Sequence, residues 1–297
     1  MKVLPRQFGV LLGDAMGIVA RSWRPLLTTA LIVFVPMGVL TLIIFNLTGG
    51  LDFLDVVIND PDSLDTLSQE EFLDLAGPFF WAIGISVAIQ TLASVFIYIA
   101  SHRIIATQMS GKPISGPQAR SDAAARFASG LIAVILILIA IGLLFAVGLT
   151  IWLIPFVVVG TPNAASVVVA LLLLVAVVAP AIWLGVSFSM VTSIVAIEES
   201  GPVRALRRSF RLVRGRWWPT LGYLLLVGLI GSVAAQLIQI LAIPLGVVGD
   251  PASGFTIASL FGVIFQGILI AGISAMYTVW YVDLRARSED LTTDALG

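Results

Sequence analysis

Apolar residues run along the chain in six long stretches separated by polar connections: Leu26–Leu47, Pro78–Ala100, Leu131–Leu153, Ala164–Ile197, Thr220–Ala242 and Thr256–Val282. None of the six contains Lys, Arg, Asp or Glu. A hydrocarbon core about 30 Å thick takes about 20 residues at 1.5 Å each, so each stretch predicts a transmembrane helix. The fourth is the outlier. Its roughly 34 residues would reach about 51 Å as one straight helix, so it must tilt, bend at Pro180 or project from the membrane. The first stretch is of full spanning length with no small-x-small cleavage site, which predicts a retained span and not a signal peptide.

Shorter segments follow the helical period. In residues 202–217, PVRALRRSFRLVRGRW, Val203, Leu206, Phe210, Val213 and Trp217 recur at steps of three and four and make one apolar stripe. Arg204, Arg207, Arg208, Arg211 and Arg214 fall on the opposite side of the wheel. Pro202 suits a first helical turn, and Glu198 and Glu199 just ahead of it lie near the positive end of the helix dipole. The pattern predicts an amphipathic helix in the membrane interface. Two readings of it stand: a cluster that only fixes topology and packing, or a site for anionic headgroups or a protein partner, each base near an anionic leaflet contributing about 1 kcal/mol. A weaker stripe, Phe8, Leu11, Leu12, Ala15, Ile18 and Val19, precedes the first span, and the less regular Gln118–Ser129 precedes the third. Each odd-numbered span is thus expected to follow an interfacial helix.

Two motifs recur. Ile154-Pro155-x-x-Val158-Val159-Gly160-x-Pro162 returns as Ile243-Pro244-x-x-Val247-Val248-Gly249-x-Pro251, and Ser115-Gly116-Pro117 returns as Ser200-Gly201-Pro202. Spans three–four and five–six therefore read as two copies of one helical hairpin, with spans one–two as a third, diverged copy. The alternative is that Pro and Gly merely punctuate helix ends. The chain is expected to be one all-α integral membrane domain of six transmembrane helices. It divides into an interfacial helix over 1–25, spans one and two over 26–107 with an acidic outer loop at 48–77, and spans three and four over 108–197. The Arg-rich helix with spans five and six over 198–283 and a tail over 284–297 complete it.

Composition narrows the class. Of 297 residues 59% are apolar and 11% charged, with a mean hydropathy of +1.08, against about 45–50% and about 25% in a soluble domain. A water-soluble globule and a disordered chain are excluded, and a net charge of −1 with no basic tail argues against a nucleic-acid partner. No Cys and the single His102 leave no disulfide, no thiolate ligand and no ligand set for a zinc or di-iron centre, so no cofactor or metal is expected. Charge also orients the chain. The 16 Lys and Arg lie in the N-terminal segment, in the connections after spans two and four, and in the tail, whereas the 48–77 loop holds Asp52, Asp55, Asp60, Asp62, Asp65, Glu70, Glu71 and Asp74 with no base. The positive-inside rule then predicts both termini in the cytoplasm.

Little in the spans carries chemistry. Without an ionisable acid–base pair there, enzymatic activity is not expected. Gln90, Gln236, Gln239 and Gln266, with Ser187, Ser189, Thr192 and Ser193 on the fourth span, are the polar groups. Gln236 and Gln239 share a helix face. The glutamines form either an interhelical amide cluster, at about 0.6–2 kcal/mol per hydrogen bond, or the lining of a cavity for a lipid headgroup or small solute. His102 beside Arg103 reads as an interfacial anchor, not a ligand or general base. The acidic loop lacks EF-hand spacing and reads as a solvated segment, with weak divalent-cation or cell-wall contact as the alternative. Ser68 is expected to cap a short helix ending near Ala76, with Glu70 and Glu71 in its first turn.

The run Glu198-x-x-Gly201-Pro202-x-x-Ala205-Leu206-Arg207-Arg208-Ser209, then Arg214-Gly215-x-Trp217, then Tyr281-x-Asp283-Leu284-Arg285-x-Arg287 after the last span, resembles a bacterial family. It is the one named for the membrane domain of glycerophosphoryl diester phosphodiesterase, in its stand-alone form. The general pattern covers most of the chain, the sharp motifs only these stretches. The resemblance implies a bacterial plasma-membrane protein. It implies no phosphodiesterase activity, because in that family the activity belongs to a fused (β/α)₈ barrel with metal-binding carboxylates and His, and this sequence contains nothing like it. Both motifs leave the inner ends of spans four and six, so Asp283 is expected to pair with an arginine of the 204–214 helix, beside Glu198 and Arg285, and lock that helix to the bundle. The functional expectation is a non-enzymatic, lipid-associated scaffold or accessory protein whose partners are anionic lipids and a further membrane protein. The alternative is a transporter or flippase for a lipid-like or small uncharged solute.

Overall fold

The structure, a computed structural model, describes residues 8–159, 164–246, 251–289 and 291. Among these the chain is helical with no strand. In order come α1 (Phe8–Thr48), α2 (Gly50–Asn59), a 3-10 turn (Pro61–Thr66), α3 (Gln69–Met109), α4 (Gly116–Val159), α5 (Ala164–Phe188), α6 (Val191–Glu198), α7 (Pro202–Arg214), α8 (Trp217–Gly246) and α9 (Pro251–Ser288). Six helical segments are long and apolar enough to cross a membrane, α5 and α6 together making the fourth. The protein is a polytopic membrane protein.

The long helices exceed what a bilayer requires. α1 and α3 have 41 residues each, α4 has 44 and α9 has 38, about 57–66 Å at 1.5 Å per residue. The excess absorbs two of the three expected interfacial helices. The stripe ahead of the first span is the opening of α1, which continues through Pro25 and Pro36, and Gln118–Ser129 opens α4. Leu11, Ala15 and Ile18 are buried in one cluster with Ile104, Ile105, Ala119 and Ala123, so these apolar faces meet protein, not lipid. α7 alone of the three stands apart as a separate helix.

α1, α3 and α9 pack on one another at the centre, with α4 against α3, α5 against α4 and α8 against α9. α5 and α8 meet only over a short stretch. Leu143, Val147, Leu172, Val175, Leu225 and Leu229 of these outer helices point outward, as suits a lipid-facing surface, since lipid gives no drive to bury them. Close packing concentrates at the arginine-bearing end, around Ile97, Ile105, Met190, Ile194, Ala275 and Tyr281.

Span four breaks, but not at Pro180, which sits inside continuous α5. The break falls at Ser189-Met190, between α5 and α6. Ser209 of α7 fills it: its hydroxyl donates to the Ser187 carbonyl (2.8 Å) and accepts from the Met190 N–H (3.3 Å). Backbone groups freed in an apolar setting need such partners.

The acidic segment keeps Asp52, Asp55, Asp60, Asp62, Glu70 and Glu71 exposed, as a solvated segment requires, but it is helical and not an open loop. Gly49 turns the chain at φ 74, a conformation glycine adopts without strain. Phe53 of α2 then packs its ring against Phe72, Phe79 and Phe80 of α3. Ser68 caps α3 in a reciprocal box: its Oγ accepts from the Glu71 N–H (3.3 Å), and Glu71 Oε2 accepts from the Ser68 N–H (2.8 Å). The helix so opened runs past Ala76 to Met109. Residues 160–163 and 247–250, within the repeated Ile-Pro motif, lie outside the described residues, as do Lys2, Arg6 and most of the tail.

Candidate functional site

α7 presents three faces. Ala205, Ser209, Leu212 and Val213 are buried against the bundle. Leu206 and Phe210, half-buried, and exposed Val203 form a second strip, on which Phe210 meets Trp183 of α5 edge-on at 5.7 Å between ring centroids. Arg204, Arg207, Arg211 and Arg214 are exposed on the third. The single predicted stripe is thus split: Val213 joins Ala205, Ser209 and Leu212 against the bundle, where Ser209 enters the α5–α6 break, while Val203, Leu206 and Phe210 stay on the second strip.

Arg208, grouped by its spacing with the headgroup contacts, turns inward. Its Nε donates to both Glu198 oxygens (3.1 and 3.2 Å), and its terminal nitrogen donates to Glu289. The Tyr281 hydroxyl donates to Glu198 (2.6 Å), while Arg285 bridges Glu198 (3.6 Å) and Glu289 (3.3 Å). Burial opposes the charge on Arg208, but Glu289 and Glu198 outweigh it and raise its pKa above the ordinary arginine value. A lock between α7 and the end of α9 therefore runs from Arg208 through Glu198 and Glu289, with Arg285 inside it. Asp283, the expected centre of that lock, pairs with Arg287 one turn along its own helix (2.5 Å). A second bridge joins Arg126 of α4 to Glu199, and Arg103 of α3 pairs with Asp122 (3.1 Å).

His102 is no interfacial anchor. It is fully buried, its Nδ1 lying 2.7 Å from Thr278 Oγ1 and its Nε2 lying 3.2 Å from Thr192 Oγ1 and 3.3 Å from Ser193 Oγ. The Thr278 hydroxyl donates to the Ser274 carbonyl (2.8 Å). In the neutral ring, Nδ1 is then the donor to Thr278, and Nε2 accepts from Thr192 and Ser193. One imidazole thus ties α3, α6 and α9 together.

Beside this node, among α3, α8, α9 and the end of α5, lies a cleft of two lobes, about 590 and 730 Å³. Gln90, Tyr98, Gln266 and Tyr277 line both lobes. Gln239 lines the larger and Thr192, the partner of His102, the smaller. Tyr98 stacks on His102 (6.0 Å) and meets Tyr277 edge-on (6.4 Å). Three of the four expected glutamines therefore converge. Gln236 does not: it is exposed and lines neither lobe, since a three-residue step turns it about 60° from Gln239 on the helix. The sequence reading passes over Tyr98 and Tyr277, although a signal exists. Ser86, Gln90, Ser94, Tyr98 and His102 recur at steps of four along α3, neighbours on one helical face.

No curated protein and no solved structure matches the chain. Residues 10–284, most of its length, match the family described as Domain of unknown function (DUF7847), and the chain belongs to that family.

Proposed function

We propose that this polytopic protein is a non-enzymatic, lipid-associated component of a bacterial plasma membrane that holds anionic headgroups on its cytoplasmic side through α7. The observation that carries this reading is the exposure of Arg204, Arg207, Arg211 and Arg214 on one face of α7, beside the apolar strip of Val203 and Phe210. A charge cluster serving topology alone needs no such placement. Here the aliphatic stems can cover apolar surface while the guanidiniums reach phosphate depth, and four bases at about 1 kcal/mol each make a real attachment. Native mass spectrometry of the purified protein tests this. Wild type is expected to retain dioleoylphosphatidylglycerol, and the Arg207→Ala/Arg211→Ala double variant to lose most of it; equal retention by both overturns the reading. Arg208 is left intact because it holds the lock.

The cleft favours a second reading, a transporter or flippase for an uncharged lipid-like molecule or solute. Its support is that no side-chain hydrogen bond among the described residues ties Gln90, Gln239 or Gln266 to a neighbouring helix, as glue would require. Accelerated transbilayer movement of a fluorescent uncharged lipid in proteoliposomes supports it, and a rate equal to that of empty vesicles removes it.

A further inference from the structure

Two hydroxyls in the cleft have no partner. Thr41 and Ser86 are 6% and 4% exposed, both line the larger lobe, and neither Thr41 Oγ1 nor Ser86 Oγ makes a hydrogen bond. Helical Ser and Thr usually bond back to the preceding turn, as Thr48 does to Ile44 and Thr91 to Val87. An unpartnered buried hydroxyl costs about 1–3 kcal/mol, and both sit in the wall of the lobe that Gln90, Gln239 and Gln266 also line, so that wall is rich in polar groups that no neighbouring helix satisfies.

The lining specifies the molecule that would satisfy them. Among the described residues no Lys, Arg, Asp, Glu or His lines either lobe, so an ionic headgroup would have no counter-charge in a medium where a bare charge is costly. Amides and hydroxyls both donate and accept, which fits alcohol groups. Val95 and Val134 in the smaller lobe and Val227, Ile270 and Ile273 in the larger make the rest of the lining apolar. The volumes fall in the range of about 300–1,000 Å³ that holds a small organic molecule. The smaller lobe reaches both Gly185 of α5 and Leu224 of α8, the two helices that scarcely touch.

We propose that the cleft binds one uncharged amphiphile of the diacylglycerol class. Its free hydroxyl and ester oxygens meet Gln90, Gln266 and the Tyr98–Tyr277 pair, and its chains leave between α5 and α8 at Gly185 and Leu224. This site is separate from the arginine face of α7 and does not rest on it.

The test uses the full-length protein in detergent with added 1,2-dioleoylglycerol, read by native mass spectrometry. Gly228 and Gly142 both have open space within 4 Å of where a Cβ would stand, so a side chain can start at either, and thermal unfolding checks that the leucine variants keep the fold. Gly228 lines the cleft and Gly142 does not. Wild type and Gly142→Leu are expected to retain one dioleoylglycerol. Gly228→Leu and the Gln90→Leu/Gln266→Leu double variant are expected to retain at least ten-fold less, with melting temperatures close to wild type. Equal retention by Gly228→Leu overturns the proposal, as does displacement by free glycerol, which would make the ligand a water-soluble polyol. Retention of dioleoylglycerol by Arg207→Ala/Arg211→Ala, which removes phosphatidylglycerol, separates this site from α7.

Discussion

His102 and Arg208 show how far a residue type alone misleads about its surroundings. A lone histidine next to Arg103 looks like an interfacial group, yet it sits fully buried with hydroxyls of α6 and α9 on both ring nitrogens. Nothing local to position 102 reveals this, because its partners lie 90 and 176 residues away. The polar steps of four along α3 were readable; the threonines that complete the node were not. His102→Leu is expected to cost about 1–3 kcal/mol by orphaning the Thr192 and Ser193 hydroxyls, with His102→Asn recovering part, both read by thermal unfolding in detergent. Arg208 falls among the arginines on the wheel, but it borders buried Ala205 and Leu212 three and four residues away and stands beside Glu198 and Glu289. Arg208→Ala should lower stability by about 1–3 kcal/mol, since it removes charge-assisted bonds from two partly buried carboxylates. Arg207→Ala should stay within about 0.5 kcal/mol. Equal melting temperatures for the two variants would contradict the lock.

At the scale of elements, hydrophobic length located the six spans well but not where helices begin or break. α1 and α4 continue through segments that look interfacial because the stripes of Leu11, Ala15 and Ile18, and of Ala119 and Ala123, find protein partners at the arginine-bearing end. A stripe's periodicity states that it will be buried, not against what. Pro180 is the obvious place for span four to fail, but a proline in a lipid-exposed helix can be accommodated, and the chain breaks at Ser189-Met190 where Ser209 offers both a donor and an acceptor. Ser209→Ala is therefore expected to cost about 1–3 kcal/mol and to speed amide hydrogen exchange at Met190. Pro180→Ala should leave that exchange unchanged. Faster exchange in the Pro180 variant and none in the Ser209 variant would move the hinge back to the proline.

For the whole molecule, the segregation of charge and the placement of polar groups combine into one arrangement. Arginines and close packing gather at one end, the aromatic cluster of Phe53 and its acidic helix lie at the other, and the cleft occupies the depth between them. The charge segregation was plain in the sequence, which also grouped Gln90, Gln239 and Gln266 but put Gln236 with them and left both an amide cluster and a cavity lining open to those residues. The cleft itself was not, because a cavity arises from how far apart α5 and α8 settle, a property of packing that no single helix encodes. We propose that the arginine-bearing end faces the cytoplasm and the acidic end faces out. The chain has no native Cys, so single cysteines placed by Asp60→Cys and Arg211→Cys can be probed with a membrane-impermeant maleimide on intact bacterial cells. Asp60→Cys is expected to label on intact cells and Arg211→Cys only after lysis. The reverse pattern would contradict that orientation.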